Sequence, residues 1–219
     1  YVQSAVVFSG NDNGYEEFRL DDNYEDVFSY RQNHINKKIT ASAVLQHKIN
    51  ARHSLRSGVY YNKYFFNLRQ RDFNRETNEI EQPLNASGNA QTVQAFTQWN
   101  YRVTDRLTVN SGIHFLSLFD NQTYSVEPRA SVKYDLPAQQ SISVGYGLHG
   151  QLQPLGVYQA EATRVDGTRY QPNQDLEMNK AHHFVTGYDR AVSKHMRIKA
   201  ETYYQHLYNI AVAADPTST

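Results

Sequence analysis

Apolar and polar residues alternate along most of this chain. In residues 125–136, SVEPRASVKYDL, every second side chain is largely apolar, while the positions between them include Glu127, Arg129 and Lys133. Successive side chains of a β-strand point to opposite faces of its sheet. The segment therefore predicts a strand with one apolar face and one charged face.

The same two-residue period recurs through the chain, as in KITASAVLQHKI, TVQAFTQWNYRV, LTVNSGIHF, SISVGYGLHG and MRIKAETYYQHLY. Such alternation is typical of half-buried strands. The pattern predicts an all-β, antiparallel fold of about nine up-and-down strands. Their predicted positions are about 1–9, 37–49, 53–66, 90–103, 107–119, 125–136, 140–152, 180–191 and 196–209.

The connections between these strands differ in length at the two ends. Tight polar turns are predicted at 50–53, 104–105, 137–140 and 192–195. Long connections are predicted at about 10–36, 67–89 and 153–179, with a short one at 120–124. Short turns at one end and long loops at the other are typical of outer-membrane β-barrels. The apolar face would then contact lipid through Val126, Ala130, Val132 and Tyr134, and the charged face would line a wet lumen.

A soluble β-sandwich or a lipocalin-like barrel also alternates, with the apolar face turned to a core. Three observations favour the membrane barrel. Opposite charges on the polar face can pair in a lumen. Many apolar-face residues are small, which suits lipid better than a close-packed core. Loops longer than about 15 residues are uncommon in compact soluble domains.

Composition removes several classes of function. Lysine plus arginine number 22, as do aspartate plus glutamate, so the chain has no net positive charge that would favour binding to nucleic acid. The chain contains no cysteine, which excludes thiolate chemistry, and no apolar run approaches the roughly 18 residues of a spanning helix. Seventeen tyrosines suit both strands and membrane interfaces. The first residues lack a signal peptide and open within a strand-like run, so we expect a piece of a longer protein.

Several strings occur together in a familiar order: QAFTQWNYRVTDRLTVNSGIHFLSL, VEPRASVKYDL, SVGYGLHGQLQPLGVY, NKAHHFVTGYDRAV and IKAETYYQHLYNIAV. The series resembles the barrels of TonB-dependent outer-membrane receptors, closely those of Bacteroidetes-type members. The resemblance covers most of residues 37–212. It is carried by the whole ordered series rather than by any single string.

The resemblance implies a 22-stranded barrel in the bacterial outer membrane, closed by an N-terminal plug, that imports scarce nutrients with energy delivered through TonB. We therefore expect residues 1–219 to be a partial barrel wall, with the plug domain and the remaining strands absent. The implied partners are outer-membrane lipid, TonB through the plug of the parent protein, and an unknown small-molecule, metal-chelate or glycan cargo. A passive porin or an adhesion-type barrel is the alternative within the membrane.

The sequence offers no catalytic motif, so we expect neither an enzyme nor a cofactor. His182 and His183 are adjacent on a strand and point to opposite faces, which argues against shared metal ligation. His149 and His183 could face one another in the lumen. The candidate lumen-facing residues are Arg102, Glu127, Arg129, Lys133, His149 and His183.

Cargo capture is expected on external loops and in the upper lumen, because these regions vary freely while hydrogen bonding holds the wall. The segment FNLRQRDFNRETNEIEQP combines arginines with aromatic rings that could bind an anionic or sugar-like ligand. A solvated charged loop is the simpler interpretation. The candidate ligand residues there are Phe66, Arg69, Arg71, Phe73 and Arg75.

Overall fold

A computed structural model describes residues 1–75, 77–164 and 166–212. Nine long strands alternate with short connections, and a four-residue helix and a small hairpin lie between the seventh and eighth of them. The elements are β1 Val2–Leu20, β2 Asp26–Lys48, β3 His53–Asn74, β4 Glu79–Arg102, β5 Leu107–Leu118, β6 Tyr124–Leu136, β7 Gln140–Gln151, α1 Leu155–Tyr158, β8 Ala162–Thr163, β9 Arg169–Tyr170, β10 Asn179–Ser193 and β11 Met196–Tyr208.

The nine long strands form one antiparallel sheet in the order β1-β2-β3-β4-β5-β6-β7-β10-β11, and β8 pairs only with β9. Every long strand except the two outermost is hydrogen-bonded to both of its neighbours in this order. The all-β, nine-stranded architecture predicted from the alternation is confirmed. A sandwich is excluded, because in the described residues the long strands make a single sheet that does not close on itself.

Short polar side chains shape the tight turns at one end of the sheet. The Asn50 side-chain carbonyl accepts hydrogen bonds from the amides of Arg52 at 2.8 Å and His53 at 2.9 Å. The Thr104 hydroxyl accepts from the Leu107 amide at 3.0 Å. Asn and Thr side chains often satisfy the backbone of a turn in this way. These two tight turns are thus encoded locally.

The turn between β6 and β7 is made by backbone conformation instead. Ala138 and Gln139 both have positive φ, 58° and 55°. Two successive left-handed residues give a primed turn, whose twist matches that of the flanking strands. Neither residue is glycine, so this turn carries a conformational cost that its neighbours avoid.

Two of the three predicted long connections are wrong. Residues 10–36 and 67–89 are mostly strand, because β1 runs on to Leu20, β2 begins at Asp26, and the β3–β4 connection occupies only the residues between Asn74 and Glu79. Backbone hydrogen bonding extends a strand pair whether or not its side chains alternate. Only the connection after β7 remains long.

Apolar residues and aromatic clusters mark a band on one face of the sheet. On this face the rings of His53, Trp99 and Tyr101 stack near the tight-turn end, with centroids 4.3–5.6 Å apart. At the far end, the Phe115 ring lies 6.2 Å from that of Tyr124. Paired aromatic girdles that flank an apolar band are typical of membrane-facing barrel surfaces. We call this the convex face and the opposite one the concave face.

The height of the band can be estimated on β6, where Tyr134 near one end and Tyr124 at the other both lie on the convex face. Ten residues separate them, which gives roughly 26 Å at about 3.4 Å per residue and a tilt of about 40°. That matches the apolar band of about 25 Å in such barrels. The strands β5, β6 and β7, with 12 or 13 residues, are just long enough to cross it.

Strands β2, β3 and β4 are far longer, at 23, 22 and 24 residues. They start from the same tight-turn end as the others, so they project beyond the band by about ten residues at the opposite end. We call these parts, residues 26–36, 66–74 and 79–90, the projecting ends. They lie outside the membrane-spanning segments.

Candidate functional site

The polarity of the two faces inverts at the edge of the band. On the lower part of β4 the convex residues are Val93 and Ala95, and the concave ones include Gln94 and Gln98. On its projecting end the convex residues are polar and the concave ones apolar. The convex set there is Asn85, Ser87 and Asn89, and the concave set is Leu84, Ala86 and Ala90. The concave side of the projecting ends is therefore covered by protein.

The cover is the segment between β7 and β10, residues 152–178, which we call the inner loop. Its Tyr158 is only 4% exposed and packs with buried residues of three strands. Burial of these side chains gives the inner loop an apolar anchor on the concave face. The buried cluster consists of Phe66, Leu68, Leu84, Ala90, Leu118 and Tyr158, with Leu152, Leu155 and Leu176 packed against it.

Hydrogen bonds fix the inner loop at both of its ends. The Asn121 side-chain amide, in the β5–β6 connection, donates to the Leu176 carbonyl at 2.9 Å. The Glu161 amide donates to the Pro83 carbonyl of β4 at 3.1 Å. The Gln153 amide donates to the Tyr158 hydroxyl at 3.2 Å. These contacts hold α1 against the wall rather than away from it.

A pocket of about 880 Å³ lies between the inner loop and the projecting ends. Its floor is apolar and its sides carry carboxamides and cationic or imidazole groups, an arrangement suited to a ligand that has both an apolar part and hydrogen-bonding groups. The polar lining residues include Asn11, His34, Asn36, Lys38, Gln70 and Asn173, and the apolar ones include Tyr64, Leu68, Leu84, Leu155 and Val157.

Burial favours the neutral forms of His34, which lines this pocket, and of Tyr158 in the adjacent α1. Desolvation lowers the pKa of His34 below its ordinary value, so the neutral imidazole is favoured. Its Nε2 atom is buried without a hydrogen-bond partner among the described residues. Burial raises the pKa of Tyr158, which keeps its hydroxyl protonated. His34 therefore contributes an uncharged ring to the lining of the pocket.

A second cluster lies on the concave face within the band, around Glu127. The Glu127 carboxylate is 2% exposed, and its Oε2 lies 2.7 Å from Arg129 Nη2 and 3.0 Å from His114 Nδ1. Gly150 packs closely against it, because a Cβ at this position would stand 3.0 Å from Glu127 Oε1 and 2.5 Å from Ser125 Oγ. A buried carboxylate needs such partners to remain charged. Glu127 thus orients Arg129 toward the lumen.

The predicted approach of His149 and His183 is present. Their ring centroids are 4.5 Å apart, and Gln205 Nε2 lies 3.2 Å from His183 Nε2. Together with Arg129 they border a depression of about 450 Å³ in the concave face, deepened by glycines such as Gly147. In the described parts of the chain, no group of three or more His, Asp or Glu side chains is placed to hold a metal ion.

The other two lumen candidates lie nearer the tight-turn end. Lys133 Nζ is 2.8 Å from Asp135 Oδ1 on the same strand. Arg102 is exposed at the end of β4, paired in register with Thr108. The ion pairs of β6 thus run along the strand, at positions two apart, rather than across to Arg102. Both residues share the concave face but neither joins the Glu127 cluster.

The candidate residues of the predicted external loop lie mainly on β3. Phe66 is 7% exposed and belongs to the buried cluster of the concave face. Arg69 and Arg71 are exposed on the convex face, pointing away from it. Odd and even positions of one strand cannot converge on one ligand. The structure therefore separates these arginines from Phe66.

The remaining two lie at the strand end. Phe73 is half-buried, and the Arg19 guanidinium carbon is 4.4 Å from its ring centroid. Arg75 is exposed in the turn after β3. Their surroundings are the tips of β1 and β3 rather than the pocket.

Several residues of these sites escaped sequence analysis. His114 and Gln205 sit in strands that were predicted, but only the register shows which neighbours they meet. His34 lay in a presumed loop, and Tyr158 in a segment without periodicity. The shift of apolar residues on β4, from concave positions before Gln91 to convex positions after it, was the one available signal for an inner partner.

Within the described residues, no helix has the length and apolar character needed to cross a membrane. The chain matches the family "TonB dependent receptor-like, beta-barrel" over residues 2–219. No curated protein matches it.

Solved structures of the same fold are similar at low sequence identity. One is "Copper transporter OprC" (12% identity, TM-score 0.70, 94% of this chain and 36% of that one). Another is the siderophore receptor PirA from Pseudomonas aeruginosa (11%, 0.63, 93% and 36%). A third is the RagAB peptide importer (12%, 0.57, 94% and 28%). The chain thus spans about a third of the length of these proteins.

Proposed function

The chain belongs to the TonB-dependent receptor-like β-barrel family, and on that premise we propose that it forms part of the wall of a receptor that imports one class of nutrient across the outer membrane, with energy supplied through TonB. The family consists of outer-membrane receptors and transporters rather than enzymes. Coupling to TonB would pass through a plug domain in the complete receptor. These residues would form roughly a third of that receptor, the share that they cover in the similar structures.

The observation that carries this proposal is the pocket between the inner loop and the projecting ends. It lies at the end of the sheet away from the tight turns, which in such barrels is the external end. A ligand bound there would stand at the mouth of the lumen before transport. An inner loop held by both apolar contacts and hydrogen bonds provides a preformed wall for that capture.

The lining of the pocket limits the chemical class of the cargo but does not identify the molecule. Similar structures bear names that refer to copper, a siderophore and peptides, so the fold is compatible with very different cargoes. Lys38 and the carboxamides of the lining favour a cargo with acceptor groups, and Leu68 and Leu84 favour one with an apolar part. A small organic molecule, a metal chelate or a glycan with an apolar aglycone meets both conditions.

Uptake by the complete receptor tests both parts of the proposal. We would screen ferric chelates, cobalamins, oligosaccharides and peptides for uptake by cells that carry the receptor, and then collapse the proton-motive force or delete TonB. Energy-coupled import predicts that uptake stops. Uptake that continues unchanged would instead identify a passive pore.

The site itself is tested with substitutions on adjacent positions of β2. His34→Ala combined with Asn36→Ala removes two pocket-lining groups, whereas Asn33→Ala alters the convex face of the same strand. Loss of two hydrogen bonds should raise the apparent KM for uptake about tenfold. Asn33→Ala should leave it unchanged. Equal effects of the two variants would place cargo capture elsewhere.

A further inference from the structure

A row of carboxylates crosses the concave face of the projecting ends and the neighbouring part of β1, above the pocket. Asp72 of β3 is paired in register with Tyr30 of β2 on one side and with Glu81 of β4 on the other. Tyr30 is in turn paired with Glu17 of β1. Side chains that are directly opposite one another on neighbouring strands share a face. The row is therefore roughly 14 Å wide, at about 4.8 Å per strand.

The carboxylates of this row have hydrogen-bond donors but no ion-pair partner. Glu17 Oε2 accepts from the Tyr15 hydroxyl at 3.0 Å. Asp72 Oδ2 accepts from the Gln70 side-chain amide at 3.0 Å. Within residues 1–75, 77–164 and 166–212, no ion pair involves Glu17, Asp72 or Glu81. Like charges directly opposite one another, as on Asp72 and Glu81, destabilise a sheet, and a cation between them would remove the repulsion.

The charges of these strand ends are sorted between the two faces. The basic residues Arg31, Arg69 and Arg71 lie on the convex face. Among the described residues of β1–β4, the concave face above Lys38 has no lysine or arginine. A cation that arrives from the lumen mouth therefore meets the carboxylates without competition from basic side chains of these strands.

Aromatic rings flank the same row. The Tyr15 and Tyr30 ring centroids lie 5.8 Å apart, and those of Phe18 and Phe28, paired in register just above, lie 6.5 Å apart. Tyr15 and Phe18 are more than half exposed. The face of an aromatic ring attracts a cation that lies within about 6 Å of its centroid. We call this surface the acidic–aromatic rim: Tyr15, Glu17, Phe28, Tyr30, Asp72 and Glu81.

We propose that the acidic–aromatic rim binds a positively charged ammonium group of the cargo at the entrance to the pocket. Carboxylates and ring faces both attract a cation, whereas an anion would be repelled and an uncharged sugar would leave the carboxylates without a counter-charge. Gln70 connects the two surfaces, because it lines the pocket and donates to Asp72. The inference rests on the proposed import function and adds a cationic end to a cargo whose acceptor groups face Lys38.

The test measures equilibrium binding to the complete receptor in detergent, without TonB and without transport. The probes are choline and its uncharged isostere dimethylbutanol, in which a carbon atom replaces the ammonium nitrogen, each titrated by saturation-transfer NMR. The rim variant is Glu17→Gln with Asp72→Asn. The matched control, Asp12→Asn with Glu16→Gln, also removes two carboxylates, but from the convex face of β1.

The native receptor should bind choline about tenfold more tightly than dimethylbutanol. The rim variant and Tyr30→Leu should each lose most of this preference, and the control should keep it. Equal binding of the two probes by the native receptor, or an equal loss in the control, would overturn the proposal. Since TonB takes no part in this measurement, a negative result would leave the import proposal standing, and passive uptake would leave a positive binding result standing.

Discussion

The short strands β5–β7 and the long strands β2–β4 belong to one sheet but differ in which face carries their apolar side chains. The short strands keep one rule throughout, with apolar residues such as Val126 and Val132 on the convex face and charged ones such as Glu127 and Lys133 on the concave face. The long strands β3 and β4 obey this rule only as far as the edge of the band and then reverse it, whereas β2 keeps polar residues such as Gln32 and Asn36 on its concave face. Above the edge, Leu68 is concave and buried while Arg69 is convex and exposed.

The reversal shows that the surroundings, rather than the sheet, set the facing of side chains. Where lipid covers the convex face, apolar side chains lie there; where water covers it and the inner loop covers the other side, they move to the concave face. The aromatic girdles and the inner loop therefore mark the same boundary from opposite sides. Four groups of substitutions probe this contrast.

The largest effect is expected from a charge placed inside the band. Val132→Arg should lower the free energy of unfolding of the complete receptor by about 3 kcal/mol, because the guanidinium would face hydrocarbon. Lys133→Ala on the concave face should cost much less. An arginine on the convex face of a projecting end, introduced by Ser87→Arg, should cost less than about 0.5 kcal/mol because that face contacts water there.

Denaturant titration of the receptor refolded into vesicles measures all three variants. If Val132→Arg were tolerated as well as Lys133→Ala, the assignment of lipid to the convex face would be wrong. If Ser87→Arg were as damaging as Val132→Arg, the band would extend higher than its aromatic residues indicate.

The anchor of the inner loop should give the next largest effect. Tyr158→Ala removes a buried ring, and we expect it to favour local opening of residues 152–178 by about 2 kcal/mol. Hydrogen exchange of the amides in this segment reports the opening directly. Tyr170→Ala, at an exposed position of the same segment, serves as the control, and equal protection in both variants would contradict the anchoring role of Tyr158.

Close packing over Glu127 should give a smaller effect. Gly150→Ala places a methyl group against Ser125 and should cost about 1–2 kcal/mol. Adding Ser125→Gly should recover part of the loss, because it removes the two nearest of the three atoms that the new methyl group meets and leaves only Glu127 Oε1, at 3.0 Å. A double variant no more stable than Gly150→Ala alone would show that the contact is not the cause.

The smallest effect is expected at the turn between β6 and β7. Ala138→Gly relieves a positive φ and should stabilise the protein by about 0.5–1 kcal/mol. Ala130→Gly, within β6, should destabilise the protein. Glycine loses more conformational freedom on folding than alanine, and no positive φ is relieved at this position. Thermal unfolding of the two variants should shift in opposite directions.

Alternation within the band was readable from the sequence because lipid and water impose opposite demands on the two faces of every strand. It predicted nine strands, the separation of Val132 from Lys133, and the approach of His149 to His183. The pairing partners of Glu127 were only partly predictable. Its bond to Arg129 follows from spacing along one strand, whereas His114 comes from a neighbour whose register no local pattern specifies.

Above the band the local pattern loses its meaning, since both faces of a strand can then meet water or protein. The sequence by itself determined the strands, the turns such as Asn50 and Thr104, and the lipid-facing surface, because these depend on residues close in the chain. Tertiary structure alone decided that residues 26–36 and 66–90 are largely strand, that the inner loop packs on them, and that His34 and Asn173 line one pocket. Those contacts join segments far apart in sequence, and their free energy exists only once the sheet has brought them together.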